Sequence, residues 1–212
     1  MASGISPTRK RESAQHRREA ILEAARTVFA RKGYSSTGVE DIAEQAGIGK
    51  GTLYLYFPSK EQIYLAALLE EARKLDAQSR EAMSAAEGWL DKLRAFVEVR
   101  LRYFDEHQDF MRIYMTEFRT MCLLGKPAHA ELHRLTERCE SQLAQMLAAA
   151  AGRGEIRDID PELAALTVSD MIRGLMERRL RQLGRAVGQA DTEFVLDLVG
   201  RAFGIRSNDD KL

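Results

Sequence analysis

Apolar residues recur at intervals of three and four along almost the whole 212-residue chain, and the strict alternation of a half-buried strand is nearly absent. That periodicity restricts the chain to an all-α fold of about nine helices. Ile21, Leu22, Ala25, Val28 and Phe29 form the first apolar stripe, which ends at Lys32-Gly33. Thr37 is placed to cap a short second helix carrying Val39, Ile42, Ala43 and Ala46, and Gly47 stops it. A third helix has room for only two turns between Gly49 and Pro58, with Leu53 and Phe57 on its inner face. Ser59 caps a fourth, expected from Lys60 to about Ser79.

The later segments are longer. Trp89, Leu93, Phe96, Val97, Leu101 and Phe104 mark a fifth helix, and a sixth is expected from about Asp109 to Leu124. A seventh carries Leu135, Cys139, Leu143 and Leu147 and stops at Gly152. Asp160-Pro161 opens an eighth with a capping carboxylate followed by proline at the first helical position, and this helix should reach about Leu183. Asp191 opens a ninth. Three short helices before a series of long ones divide the chain into a basic arm over 1–14, a small domain over 15–60, a larger one over 61–206 and a tail over 207–212.

The formal net charge is zero, but residues 1–60 hold ten Lys/Arg against six Asp/Glu and the remainder is correspondingly acidic. A basic end on an acidic body suits contact with a polyanion. No run of about 18 apolar residues is present, so no membrane span is expected. Cys122 and Cys139 lack metal or redox spacing, which favours free thiols in a reducing cytoplasm over a disulfide.

The third helix, Lys50-Gly51-Thr52-Leu53-Tyr54-Leu55-Tyr56, is weak by propensity yet dense in polar groups. A helix-turn-helix accounts for both properties, because its second helix enters the major groove by its N-terminal residues. Gly51 lets the backbone approach DNA closely, at a cost of roughly 1 kcal/mol to the helix. Lys50 can reach a phosphate or a guanine edge, and Thr52 offers a hydroxyl and a methyl suited to thymine. Tyr54 and Tyr56 point away from the inner face with hydroxyls available to phosphates. Thr37 and Lys60, each at a helix start, would add backbone contacts where helix dipoles favour anions. The arm residues Arg9-Lys10-Arg11 are either a solvated tail, the commoner case, or a further contact.

Between Arg17 and Glu61 the chain closely resembles the DNA-binding domain of TetR/AcrR-type transcriptional regulators. The motifs F-x-x-K-G-Y, T-x-V-x-D-I-A, A-G and K-G-T-L-Y-x-Y-F-x-S-K-E occur in that order, over about 45 residues. Gly49 departs from the family pattern, in which many members place serine as the helix cap. By this resemblance Thr37, Lys50, Gly51, Thr52, Tyr54, Tyr56 and Lys60 match positions that commonly touch DNA.

The resemblance further implies that the later helices sense a small-molecule effector and pair the chain as a homodimer. Leu175, Phe194, Leu198 and Phe203 are compatible with such an interface. A dimer on a two-fold axis would read a pseudo-palindromic double-stranded operator. Phe104, Met111, Tyr114, Met115 and Phe118 form an adaptable stripe that would suit a hydrophobic ligand, although such a stripe is more often plain core. Arg173 and Glu177 are polar anchors for that pocket or, more commonly, exposed charges. A fainter similarity, to fatty-acid-metabolism regulators, suggests an acyl-CoA-like effector.

His129-Ala-Glu131-Leu-His133 reads better as a solvated helix face than as a metal site, so neither a metal nor a cofactor is expected. No nucleophile elbow, phosphate loop or paired carboxylates point to an enzyme. The expected protein is a cytoplasmic, ligand-responsive transcriptional repressor. The alternative is a helical adaptor for other proteins with a degenerate DNA-binding end.

Overall fold

In a computed structural model, the described residues are 7–113, 115, 130–181 and 189–204, and they form nine helices and no strand. These are α1 (Pro7–Lys32), α2 (Val39–Gln45), α3 (Lys50–Tyr56), α4 (Lys60–Ala85), α5 (Gly88–Glu106), α6 (Gln108–Ile113), α7 (Ala130–Gly152), α8 (Pro161–Arg181) and α9 (Gln189–Phe203). The periodicity placed the helices well, but several ends differ. The first helix begins at Pro7, so Arg9-Lys10-Arg11 lie on α1 and not in a flexible arm over 1–14. The fourth continues beyond Ser79 to Ala85, since nothing in Arg80-Glu81-Ala82-Met83 breaks a helix. The expected extension of the sixth helix to Leu124 and the tail over 207–212 lie outside the described residues.

The chain divides into two units, residues 1–71 with 109–130 and residues 72–108 with 131–212, so the division falls within α4. The first unit is built on α1. Ile21, Leu22, Ala25, Val28 and Phe29 are fully buried, against Ile42 of α2, Leu53 of α3 and Ile63, Tyr64 and Ala67 of α4. Burial of each large side chain contributes about 1.5–3 kcal/mol, which is why the two seven-residue helices α2 and α3 are stable against the longer ones and not alone. Phe29 meets the Tyr64 ring edge-on at 4.9 Å between centroids, and Tyr34 stacks beside Phe29 at 5.7 Å. The Arg26 guanidinium ties α1 to Glu70 and Glu71 of α4.

In the second unit α5 supplies the densest core, with Leu93, Phe96, Val97, Leu101 and Phe104 buried, and it packs on α8 and α9. Ala165, Val168 and Ile172 of α8 and Val195 and Val199 of α9 complete that core. Arg179, buried on α8, clamps the three helices. It donates to Asp191 of α9 at 2.7 and 3.1 Å and to Asp105 of α5 at 3.3 Å. Burial pushes the Asp105 carboxyl above the usual aspartate range, against the opposing pull of Arg179. On α7, the Cys139 thiol is free and donates to the buried Asp76 carboxylate of α4 at 3.2 Å.

Candidate nucleic-acid interface

The turn between α2 and α3 is set by backbone hydrogen bonds. Gly47 N–H donates to the Glu44 carbonyl and Ile48 N–H to the Ala43 carbonyl, both at 3.0 Å, which closes the end of α2 as a Schellman motif. Gly47 adopts φ +64°, the left-handed conformation that the motif demands and that a side chain would strain. Gly49 then caps α3 with extended backbone and no side-chain bond, its carbonyl accepting from Leu53 N–H at 3.1 Å. At the other end of the motif the cap of α2 is Gly38, not Thr37. The Asp41 carboxylate accepts from Gly38 N–H at 2.8 Å and also from Lys32, and these bonds hold its carboxyl below the usual aspartate range.

The inner and outer faces of α3 separate as the sequence suggested. Leu53 and the following Phe57 are buried, and the Arg18 guanidinium sits 5.2 Å over the Phe57 ring. Lys50, Gly51, Thr52 and Tyr54 are exposed, and Tyr56 is half-buried. Leu55 is 83% exposed, a large apolar side chain with no core to serve. Residue-type reasoning missed it because leucine at helical spacing normally reads as core; its position between two outward tyrosines was the available signal.

Lys50 is paired with Glu40 from the first turn of α2, and its ammonium lies 5.9 Å from the Tyr54 ring. The hydrogen bond to Lys50 holds the Glu40 carboxyl below its usual range and raises the lysine in turn. Both groups are exposed, so the pair is exchangeable with any better anion. Glu40 was not among the expected site residues.

The other two expected contacts are placed differently. Thr37 is 3% exposed, and its hydroxyl donates to the Gly33 carbonyl at 2.6 Å. Lys60 donates to the carbonyls of Tyr34 at 2.8 Å and Thr37 at 2.9 Å, with its ammonium 4.4 Å over the Tyr34 ring. Both side chains therefore fasten the 33–37 loop that leads into α2. The Thr37 side chain offers no surface to DNA, and two of the three Lys60 ammonium protons are already used.

The expected ligand stripe is divided between the units. Phe104 is 1% exposed, packed into the core of the second unit, while Met111 and Met115 are half-buried and belong to the first. Tyr114 and Phe118 lie outside the described side chains. Arg173 pairs with Asp170 on its own helix, and Glu177 is half-buried. Of the expected interface residues, Phe194 and Leu198 are exposed, and Leu175 is half-buried. Phe203 is half-buried beside Trp89, with 6.4 Å between ring centroids. Leu163 and Leu166 of α8 are exposed as well. His133 pairs with Glu137 and Glu131 with Arg73, and no cluster of metal-binding side chains exists among the described residues.

Two short helices meeting at a glycine turn, the second turning a polar face outward, define a helix-turn-helix protein. Residues 21–67 match the model for bacterial regulatory proteins of the tetR family, and residues 86–177 match the tetracyclin repressor-like C-terminal domain. The transcriptional regulator RutR of Escherichia coli O157:H7 is 30% identical over 162 residues, spanning 74% of this chain and 73% of RutR. The uncharacterized HTH-type regulator YfiR of Bacillus subtilis (strain 168) is 38% identical over 95 residues, 42% of this chain; the match spans only 46% of YfiR. The crystal structure of PfmR, a TetR family regulator from Thermus thermophilus, superposes with a TM-score of 0.71 at 29% identity, covering 85% of this chain and 97% of PfmR. The chain belongs to the TetR family of transcriptional regulators.

Proposed function

We propose that the protein is a cytoplasmic homodimeric repressor that holds a pseudo-palindromic operator through α3 and releases it when a small hydrophobic molecule binds. The outward face of α3 carries this reading. Lys50, Thr52, Tyr54, Leu55 and Tyr56 crowd two turns that a purely structural helix would leave unadorned. Lys50 and Tyr56 serve phosphates, and Thr52 and Leu55 offer methyl groups to thymine. Among the described residues no helix is long and apolar enough to cross a membrane. The effector acts by preferring the arrangement that cannot span two half-sites, because only differential affinity shifts an equilibrium.

The test is a titration of fluorescent duplexes, selected by the protein from its host DNA, over a range of salt concentrations. Affinity should fall steeply with salt as phosphate contacts release counterions. Tyr56→Phe should weaken all duplexes alike, whereas Thr52→Ala and Leu55→Ala should reorder the preference among operator variants. A flat salt response, or indifference to every duplex at low salt, would favour the protein-adaptor reading instead.

A further inference from the structure

A shallow, solvent-open cavity of about 550 Å³ lies in the second unit, between the last turns of α4, the start of α5 and the end of α7. Its size lies within the ~300–1,000 Å³ typical of small-molecule sites. Met83, Trp89 and Met146 supply an adaptable apolar wall, and Arg80, Lys92 and Arg153 bring three cations to the rim. Those cations are not equivalent. Arg153 is neutralised by Glu155, which it engages through two hydrogen bonds at 2.6 and 3.1 Å. Arg80 leans on the buried Asp76 carboxylate at 3.1 Å. Lys92 has no ion-pair partner among the described residues. An apolar wall beside one uncompensated positive charge fits a molecule with a hydrocarbon body and a single negative charge.

We propose that this cavity is the effector site, and that it takes an apolar-bodied carboxylate whose hydrocarbon lies on Met83 and Met146 beside Trp89 and whose charge is met by Lys92. The assignment rests on the reading of the chain as an effector-responsive regulator, and it names a different site from the stripe expected around Phe104. It also supplies a route outward. Trp89 packs beside Phe203 of α9, the helix that carries the exposed Phe194 and Leu198. A ligand that moves the indole thereby acts on the helix expected to pair with a second copy.

Trp89 is the single tryptophan of the sequence, so its fluorescence reports the cavity in the intact protein. Decanoate, kept below its micellar concentration at neutral pH, should produce a saturable change, with decanol weaker and decylammonium weaker still. Lys92→Ala should lower decanoate affinity by about fivefold, as expected for a partly exposed charge pair, and leave decanol binding unchanged. Lys92→Arg should restore it. Absence of a saturable decanoate signal, or equal losses for decanoate and decanol in Lys92→Ala, would overturn the proposal. Decanoate binding that leaves affinity for the selected duplex unchanged would overturn the effector assignment. A protein that ignores every duplex sinks the regulator reading instead, whatever the fluorescence shows.

Discussion

Lys50 and Lys60 are both ammonium groups at helix starts, and the fold uses them oppositely. Lys50 stands on the outer face with one exposed carboxylate, Glu40, as its partner. Phosphate must displace Glu40 to reach it, so Glu40→Gln should raise affinity for random duplex. The slope of log affinity against log salt should also steepen by about one, as for one additional phosphate contact. A loss of affinity in that variant would mean that Glu40 orients Lys50 productively. Lys60 is turned inward onto two carbonyls and an aromatic face. Hydrogen bonds from a charged donor contribute about 1.5–3 kcal/mol, so Lys60→Ala should lower stability by an amount of that order, read in denaturant unfolding. An unchanged midpoint with weakened DNA binding would restore the phosphate role that its position in the sequence suggested.

At the scale of the element, two glycines a few residues apart obey different constraints. A methyl group at Gly47 meets nothing within 4 Å, yet φ +64° imposes a backbone cost. Gly47→Ala should therefore lose about 1–2 kcal/mol of stability and loosen the angle between α2 and α3. Gly51 lies inside α3 with equally open surroundings in the free protein. Alanine there should add up to about 1 kcal/mol to the helix by removing backbone entropy. DNA affinity should nevertheless fall, because the added methyl stands where the backbone is proposed to approach the duplex. A Gly51→Ala protein that is both more stable and an equal binder would remove that close approach. The contrast separates a glycine kept for conformation from one kept for space.

At the scale of the whole molecule, the large apolar side chains of Leu163 and Leu166 on α8 and of Phe194 and Leu198 on α9 are left exposed, on helices that pack on each other. Exposed apolar groups of this size, where they adjoin, are the ordinary signature of an interface. Sedimentation equilibrium should show a dimer for the wild type and a monomer for the Phe194→Asp, Leu198→Asp double variant. The monomer should retain weak binding to a half-site and lose the operator, since one short helix reads too few base pairs. A double variant that sediments like the wild type would move the interface elsewhere.

The all-α class, the order of the helices and the glycine-joined pair at residues 39–56 were determined by the sequence alone. Each depends on signals that act within a few turns: apolar spacing, a capping oxygen, a glycine free to take positive φ, a proline that ends a helix. What those signals leave open is which surface an inward-facing residue meets. Only the tertiary structure decided that Lys60 would bind carbonyls 23 and 26 residues away, or that Arg179 would hold a carboxylate 74 residues back. The same holds for the cavity that gathers Met83, Trp89, Lys92 and Met146 from three helices. Periodicity states that a face is buried; the partner is selected by the packing of distant segments, which no local pattern encodes.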